Sequence, residues 1–291
     1  MNLREMQYVV AVADLRSFTQ AAEQCFVSQP TLSGQIKKLE DQLGVAIFER
    51  TNKRVMPTDV GESIISAARR VLREMENIRE SASAAHDPLA GRFRLGAFPT
   101  LSSYLLPKLV PKIVEDMPNL RLILMEEKTD DLLDKLRRGT IDAAFLALPV
   151  RDDFLVSRQL FEDPFVLAVS DRHELANMDV VDQGLLVRHQ LLLLEEGHCL
   201  RDQSLAVCRL LGVGEDPDFR ATSLETLRQM VKAGTGITLM PKIAVGDDAG
   251  IRYLPFTANP PSRTIGLVWR KTSAREKVAH RLCQVVEALL L

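Results

Sequence analysis

Apolar residues near the start of the chain recur at helical spacing and predict two short helices joined by a tight turn. The first apolar set follows the i, i+3, i+4, i+7 pattern of one buried helix face, at Phe18, Ala21, Ala22 and Cys25. Ser28 then suits the N-cap of a second helix, whose inward positions are Leu32, Ile36, Leu39 and Leu43. This layout is typical of a helix-turn-helix, in which the second helix enters the major groove of DNA.

The opposite face of the second helix carries small polar and basic side chains. We predict contacts with bases, or with nearby sugars and phosphates, from Gln29, Thr31, Ser33 and Gln35. The segment ERTNKRVMPT that follows predicts a short two-stranded wing. Phosphate contacts are expected from Lys37 and from three wing residues, Arg50, Lys53 and Arg54. The alternative for each of these residues is a solvated position on the protein surface.

A heptad pattern begins after Pro57. The apolar positions alternate in steps of four and three, at Ile64, Ala68, Val71, Met75, Ile78, Ala82 and Ala85. This is the a/d seam of a dimerising helix, although packing on the chain's own globular domain is the alternative. A polar break from His86 to Gly91 marks a domain boundary. The predicted domains are therefore a DNA-binding domain at 1–58, a linker helix at 59–87 and a third domain at 88–291.

Short apolar runs alternate with helical patterns through the rest of the chain. The predicted strands are FRLGAF, LRLILME, IDAAFLAL, FVLAVS, LLLLEE, GITLMP and RTIGLVW, with helices expected from Tyr104, Asp130 and Ala274 among others. Such alternation favours an α/β architecture. Ligands in α/β folds bind at the carboxyl ends of strands, where helices begin. Thr100, Thr129 and His198 occupy positions of this kind.

Cys199 and Cys208 lie nine positions apart in a segment with a helical pattern. Nine helical steps separate two Cα atoms by about 13.5 Å on opposite faces, whereas a disulfide needs them within about 7 Å. A bond between the two therefore requires the helix to unwind. The chain's other cysteines, Cys25 and Cys283, lie on apolar helical stripes and are predicted to be core residues.

Composition narrows the function classes. The chain has no apolar run long enough to span a membrane and no secretory leader pattern, so we expect a cytoplasmic protein with thiols as its default state. The net charge is −2, and residues 1–60 carry seven Lys/Arg against seven Asp/Glu, so the prediction of DNA binding depends on local pattern. The Cys and His spacings lack the form of a zinc site, and neither a metal nor a cofactor is expected.

The stretch FTQAAEQCFVSQPTLSGQIKKLEDQLGVAIFERTNKRVMPTDVG resembles the winged helix-turn-helix of LysR-type transcriptional regulators, and the resemblance extends over the whole chain. It implies a winged helix-turn-helix, a dimerising linker helix and a two-lobed α/β regulatory domain similar to periplasmic binding proteins. Lobe I would comprise about 92–160 and 264–291, and lobe II about 161–263, with chain crossings near 148–159 and 259–263. The implied partners are double-stranded promoter DNA, RNA polymerase and further copies of the chain, in a homodimer or homotetramer.

Three further stretches, LLLLEEGHCLRDQ, FRATSLETLRQMVKAGTGITLMP and RTIGLV, resemble peroxide-sensing members of that family. The resemblance implies that hydrogen peroxide oxidises Cys199 to a sulfenic acid, which Cys208 resolves into a reversible disulfide. The residues around the peroxide would be Thr100, Thr129, His198 and Asp202, with Arg263 supporting the thiolate. The implied role is a non-enzymatic activator of antioxidant genes that cellular thiol reductants reset.

The position of Cys199 at the start of its helix predicts a lowered thiol pKa, because unpaired N–H groups and the helix dipole favour negative charge. Arg201, Arg263 or a protonated His198 would add to this effect, and Glu195 and Glu196 would oppose it. The chain departs from the family pattern at LSSYLLP and around 244–251. Two alternative functions stay open: a LysR-type regulator that binds a small organic effector between its lobes, and a thiol peroxidase.

Overall fold

The chain is described here from a computed structural model that covers residues 1–51, 54–84, 87–197, 199–211, 214–257 and 260–290. Within it the chain forms two compact units, Met1–Ala82 and Ser83–Leu291. No helix of the described residues is long and apolar enough to cross a lipid bilayer.

The first unit is a winged helix-turn-helix, as the apolar pattern predicts. Its elements are α1 (Leu3–Leu15), α2 (Phe18–Gln24), α3 (Gln29–Leu43), β1 (Phe48–Thr51), β2 (Arg54–Pro57) and α4 (Asp59–Ala84). Most of the expected inward residues of α2 and α3, among them Ala21, Leu32 and Ile36, are buried in one core, and Phe18 and Cys25 are half-buried against it. Leu43 was expected to face inward but is 40% exposed at the end of α3. The antiparallel pair β1–β2 forms the wing.

Side-chain caps define the turn of this motif. The Ser17 hydroxyl accepts a hydrogen bond from the Gln20 N–H at the start of α2, and the Ser28 hydroxyl accepts one from the Thr31 N–H at the start of α3. Glu40 then joins α3 to the wing, because its Oε1 accepts hydrogen bonds from the N–H groups of Ile47 at 2.8 Å and Phe48 at 3.1 Å. The wing is therefore held at a set position relative to α3.

The predicted heptad residues of α4 have two environments within the first unit. Ala68 is buried and Ile64 half-buried against the core of the unit, next to the buried Ile65. Farther along, Val71 is 44% exposed and Ile78 is 70% exposed. The Ala82 side chain and all of Ala85 lie outside the described residues. The outer part of the seam is thus left uncovered by its own unit.

The second unit is an α/β domain with two cores. Its strands are β3 (Gly91–Ala97), β4 (Leu120–Glu126), β5 (Ala143–Leu148), β6 (Leu155–Ser170), β7 (Gln190–Leu194), β8 (Gly214–Ala221), β9 (Thr238–Pro241), β10 (Ile251–Leu254) and β11 (Ser262–Arg270). Its helices are α5 (Pro99–Asp116), α6 (Thr129–Arg138), α7 (Cys199–Leu211), α8 (Leu224–Lys232) and α9 (Glu276–Leu290), with short 3₁₀ segments at Glu174–Asn177, Gln183–Arg188 and Lys242–Ala244. The fold class expected from the sequence is confirmed.

Strand order explains how one sheet serves both cores. Neighbours follow the order β10-β6-β11-β5-β3-β4, β9 also pairs with β6, and β7 and β8 form a separate parallel pair. The long strand β6 pairs with β11 over its first part and with β9 and β10 over its last. One core, here lobe I, lies around β3, β5, β11, α5 and α9, and the other, lobe II, around β7, α8 and the end of β6.

Two details differ from the sequence-based expectation. The crossing between lobes lies within β6, where its partners change near Asp163 to Phe165, whereas a crossing near 148–159 was expected. Strand β6 begins at Leu155, inside the expected crossing, and stays continuous because β11 pairs with it from Leu155 to Pro164. Helix α5 begins at Pro99 and not at Tyr104, since proline is tolerated in a first helical turn. Thr100 is therefore inside the first turn of α5.

Candidate functional site

Cys199 is the first residue of α7 and lies where the two lobes meet. Helix α7 follows β7 of lobe II, yet the half-buried Cys199 packs against the lobe I core. The next residue, Leu200, is buried in the lobe II core. A chemical change at the Cys199 thiol therefore alters packing at a point where both lobes are in contact with the start of α7.

Burial dominates the acidity of this thiol. Desolvation raises the pKa of Cys199 above its ordinary value, while the Arg263 charge, the Thr129 hydroxyl and the Leu200 N–H favour the thiolate and oppose that rise. The Asp202 charge adds to the rise. The net direction is opposite to the lowered pKa expected from the helix start. The packing of the thiol against lobe I, which the sequence does not display, is the reason.

Thr129 supplies a hydroxyl that faces the Cys199 thiol. It opens α6, and its Oγ1 is buried without a well-formed hydrogen bond among the described residues. A buried hydroxyl without a partner costs free energy, so such groups are uncommon and tend to occur at functional positions. Thr129 thus presents an unused donor next to the sulfur.

Arg263 is fully buried beneath the thiol and is held in a network that spans the second unit. Its Nε donates to Asp163 Oδ2 at 2.9 Å, its Nη1 donates to Thr100 Oγ1 at 2.9 Å, and its Nη2 donates to the Thr100 carbonyl at 3.1 Å. The guanidinium also lies 5.2 Å from the centre of the Phe98 ring. Asp163 compensates the buried charge, and its other oxygen accepts a hydrogen bond from the Ile243 N–H at 3.0 Å.

The structure therefore brings together three of the predicted site residues around Cys199, namely Thr129, Arg263 and Thr100. Thr100 is linked to the site through Arg263, which donates to its hydroxyl. Asp202 is exposed one turn along α7. His198 and the side chain of Cys208 lie outside the described residues, although the backbone at 208 belongs to α7.

Arg201 has a different environment from the one expected of a thiolate-supporting group. It is buried, and its Nη1 donates to the Leu194 carbonyl at 3.1 Å, which ties α7 to the end of β7. Two residues that sequence reasoning missed belong to the site. Asp163 balances Arg263 from 100 positions away, and Lys128, which directly precedes Thr129, bonds to Glu195. For Lys128 the sequence offered one local signal, its position directly before Thr129 in the EEKT run.

Burial also raises the thiol pKa of the two cysteines expected in cores. Cys283 is fully buried in lobe I, and burial raises its pKa to about 11. Cys25 is half-buried at the end of α2, and burial raises its pKa as well. At Cys283 the Arg158 charge opposes this rise.

On the DNA-binding unit, the predicted base-contacting residues lie on the outer face of α3. Gln29, Thr31 and Lys37 are exposed, and Ser33 and Gln35 are half-buried. A side chain at Gly34 would meet open space, so this face is unobstructed. The Thr31 hydroxyl is 2.7 Å from the Ser28 hydroxyl and takes part in the helix cap. Arg50 and Arg54 belong to the wing strands, their side chains are not described, and Lys53 lies outside the described residues.

A winged helix-turn-helix, a long helix and a two-lobed α/β unit with a cysteine between its lobes define a DNA-binding regulatory protein. Family models agree with this class. The "bacterial regulatory helix-turn-helix protein, lysR family" model matches residues 3–62, and the "LysR substrate binding domain" model matches residues 86–290. The chain belongs to the LysR family of bacterial regulators.

Individual relatives place it more narrowly within the family. It is 44% identical to the DNA-binding transcriptional dual regulator OxyR of Escherichia coli K12, over 99% of this chain and 95% of the relative. A solved full-length OxyR variant from Pseudomonas aeruginosa matches with a TM-score of 0.77 at 38% identity, over 98% of this chain and 94% of that one. A hydrogen-peroxide-bound OxyR mutant from Corynebacterium glutamicum matches with a TM-score of 0.69 at 30% identity, over 99% and 92% of the two chains.

Proposed function

We propose that the chain is a hydrogen-peroxide-responsive transcriptional regulator in which Cys199 is the sensing thiol. The observation that carries this proposal is the buried Thr129 hydroxyl, which faces the Cys199 thiol without a well-formed hydrogen bond among the described residues. Hydrogen peroxide is a small molecule that needs a hydrogen-bond donor to align it with a thiolate. The likeness to proteins named OxyR, one of them with hydrogen peroxide bound, supports the same chemistry.

The first step is nucleophilic. The Cys199 thiolate attacks one peroxide oxygen, the S–O bond forms as the O–O bond breaks, and the second oxygen leaves as hydroxide, which takes up a proton to become water. The product is a sulfenic acid. Thr129 aligns the peroxide, and Arg263, paired with Asp163 and bonded to Thr100, stabilises the thiolate. Asp202 and His198 remain proposed members of this site.

The second step changes the shape of the protein. The Cys208 thiol condenses with the sulfenic acid, which forms the disulfide and releases water. Because α7 is helical from Cys199 to Leu211 in this structure, the step requires that helix to unwind. Unwinding would withdraw the buried Leu200 and Arg201 from lobe II. A cellular thiol reductant would return the disulfide to two thiols.

At the DNA end, we propose that α3 reads promoter DNA through Gln29, Thr31, Ser33 and Gln35. The proposed phosphate contacts are Lys37, Arg50, Lys53 and Arg54. The proposed assembly is a homodimer or homotetramer in the cytoplasm, which activates antioxidant genes through RNA polymerase and does not act as an enzyme. Refolding of α7 would alter how regulatory units pair and so the spacing of DNA-binding units along the groove.

Disulfide mapping tests the chemistry. After one equivalent of hydrogen peroxide, mass spectrometry is expected to find a bond between Cys199 and Cys208 that is absent in reduced protein and in Cys208→Ser. DNase footprints of the reduced and oxidised protein are expected to differ. Identical footprints, or a promoter response that persists in Cys199→Ser, would support a small organic effector instead. Multiple peroxide turnovers at rates far above the promoter response would support a peroxidase.

A further inference from the structure

Lys128 makes a bridge between the loop before Cys199 and the start of α6. Its Nζ donates to Glu195 Oε1 at 2.7 Å and to the Glu196 carbonyl at 3.0 Å. Its methylene groups lie over Gly197, where a Cβ would come within 3.0 Å of the Lys128 Cδ. One lobe I side chain therefore contacts three consecutive residues of the loop that leads into α7.

These contacts fix the two sides of the thiol site relative to each other. Lys128 directly precedes Thr129, whose hydroxyl faces the sulfur, and Gly197 lies two residues before Cys199. The loop follows β7 of lobe II, whereas α6 packs on lobe I. A tether at this point limits how far Thr129 and Cys199 can separate.

The exposure of the pair indicates a local role. The Lys128 and Glu195 side chains are 38% and 39% exposed, and ion pairs with that much solvent contribute little to global stability. Gly197 adopts a φ of +85°, a backbone conformation that glycine favours, so the loop has a defined path beneath the lysine. Geometry, and not folding energy, is what this contact supplies.

We propose that Lys128 is a positioning residue for the peroxide reaction: it holds the 195–197 loop against the start of α6 so that Thr129 and the Cys199 thiol stay aligned. The inference rests on the proposed function, since it concerns the step in which the thiolate attacks peroxide. Reaction with peroxide would then require more than the Cys199 thiol, Arg263 and Thr129. The loop and helix must be joined across the lobes before peroxide arrives.

The test isolates the first chemical step in a Cys208→Ser background of the full-length protein. Lys128→Met keeps the methylene cover over Gly197 and removes the ammonium. We expect it to slow sulfenic acid formation by hydrogen peroxide about tenfold, since small misplacements of reacting groups have effects of this size. Alkylation of the same thiol by iodoacetamide needs no alignment with Thr129, so its rate should fall by less than about twofold.

Three controls separate positioning from other effects. Lys135→Met removes the pair between Lys135 of α6 and Glu127, which is comparably exposed, and leaves the Lys128 contacts with the loop in place. It should leave both rates unchanged. The double variant Lys128→Glu/Glu195→Lys exchanges the two charges and keeps the ion pair. Its rate of reaction with peroxide should be closer to that of the parent than to that of Lys128→Met. The dependence of the peroxide rate on pH should have the same slope in Lys128→Met and its parent, because the variant alters position and leaves the acidity of the thiol as it was.

The outcomes are distinguishable. A parent that forms no sulfenic acid at Cys199 would overturn the proposed function, and the inference with it. A parent that reacts alongside an equally reactive Lys128→Met would overturn the inference alone. Equal losses in the peroxide and alkylation rates, or a Lys135→Met variant as slow as Lys128→Met, would also overturn it, because the effect would then be a general loosening of the fold.

Discussion

At the scale of single residues, the two threonines of the site do different things although both begin helices. Thr100 is buried and accepts a hydrogen bond from the Arg263 guanidinium, so its hydroxyl helps to hold a buried charge. Thr129 Oγ1 is buried with no such bond among the described residues. One hydroxyl stabilises the fold and the other is available to a ligand.

Valine substitutions should separate these roles. Thr100→Val is expected to lower the free energy of unfolding by about 1.5–3 kcal/mol, the usual cost of losing a hydrogen bond to a charged group. Thr129→Val should change stability by less than about 1 kcal/mol, because no folded-state bond is lost, yet slow the peroxide reaction roughly a hundredfold. Urea unfolding and stopped-flow kinetics measure the two effects. A Thr129→Val protein that reacts at the parent rate would remove Thr129 from the site.

The acidity of Cys199 predicts a pH profile. Burial raises the pKa of this thiol above its ordinary value, so below that pKa the thiolate fraction grows with pH. From about pH 6 to about pH 8 the second-order rate with hydrogen peroxide should therefore rise by about tenfold per pH unit, without a plateau. A plateau near neutral pH would show that attraction by Arg263 outweighs burial and lowers the pKa, as the position in the sequence suggested.

At the scale of elements, α7 is both part of the site and the segment that must be rebuilt. Oxidation to a disulfide between Cys199 and Cys208 should greatly increase amide hydrogen exchange across 199–211, because backbone hydrogen bonds are lost there. Helix α8, capped by the Ser223 hydroxyl bonded to the Thr226 N–H, should keep its protection. Hydrogen exchange followed by mass spectrometry measures both segments in one sample. Unchanged protection of α7 in a protein with the mapped disulfide would contradict the unwinding.

Helix α3 allows an independent test of DNA binding. Lys37 is exposed on the face proposed to meet phosphates. Lys37→Ala should weaken binding to all duplexes alike and reduce the salt slope, log K against log salt concentration, by about 0.9, as expected for one lost phosphate contact. Gln35→Ala should instead reduce preference for the promoter over random DNA with the salt slope intact. Fluorescence anisotropy at several salt concentrations separates the two outcomes.

The elements also show what local patterns can predict. The helix-turn-helix follows from Ala21, Leu32 and Ile36 at helical spacing and from a serine cap, all of which act over a few residues. The position of Thr129 at a helix start is likewise predictable locally, because a strand pattern ends just before it and a helical pattern follows. The long strand β6 is different, because its continuity depends on pairing with β11, about 100 positions later. In the sequence, only the apolar second half of β6, FVLAVS, has the pattern of a strand.

The site residues divide in the same way. Cys199 and Arg263 stand out by residue type, but the compensation of Arg263 by Asp163 spans 100 positions and the bridge from Lys128 to Glu195 spans 67. The net acidity of Cys199 depends on how its thiol packs against lobe I, a contact between lobes. Local signals therefore identify the reacting groups, whereas tertiary contacts determine their charge state and alignment.

At the scale of the whole molecule, the outer part of α4 carries an apolar stripe that its own unit does not cover. Val71 is 44% and Ile78 is 70% exposed, and both belong to the a/d positions of the heptad pattern. Such a stripe is stabilised when a second helix packs along it, and a charge placed in the seam would be buried without a partner. We therefore expect α4 to join two chains.

Ile78→Glu should convert the dimer into monomers at micromolar concentration, as measured by sedimentation velocity. Ser66→Glu, on an exposed position of the same helix outside the seam, should leave the assembly intact. The monomeric variant should still form its disulfide with peroxide, because the site around Cys199 lies within one chain, yet lose most of its affinity for a promoter with two half-sites. A dimeric Ile78→Glu protein would mean that the stripe packs elsewhere and that assembly depends on the regulatory units.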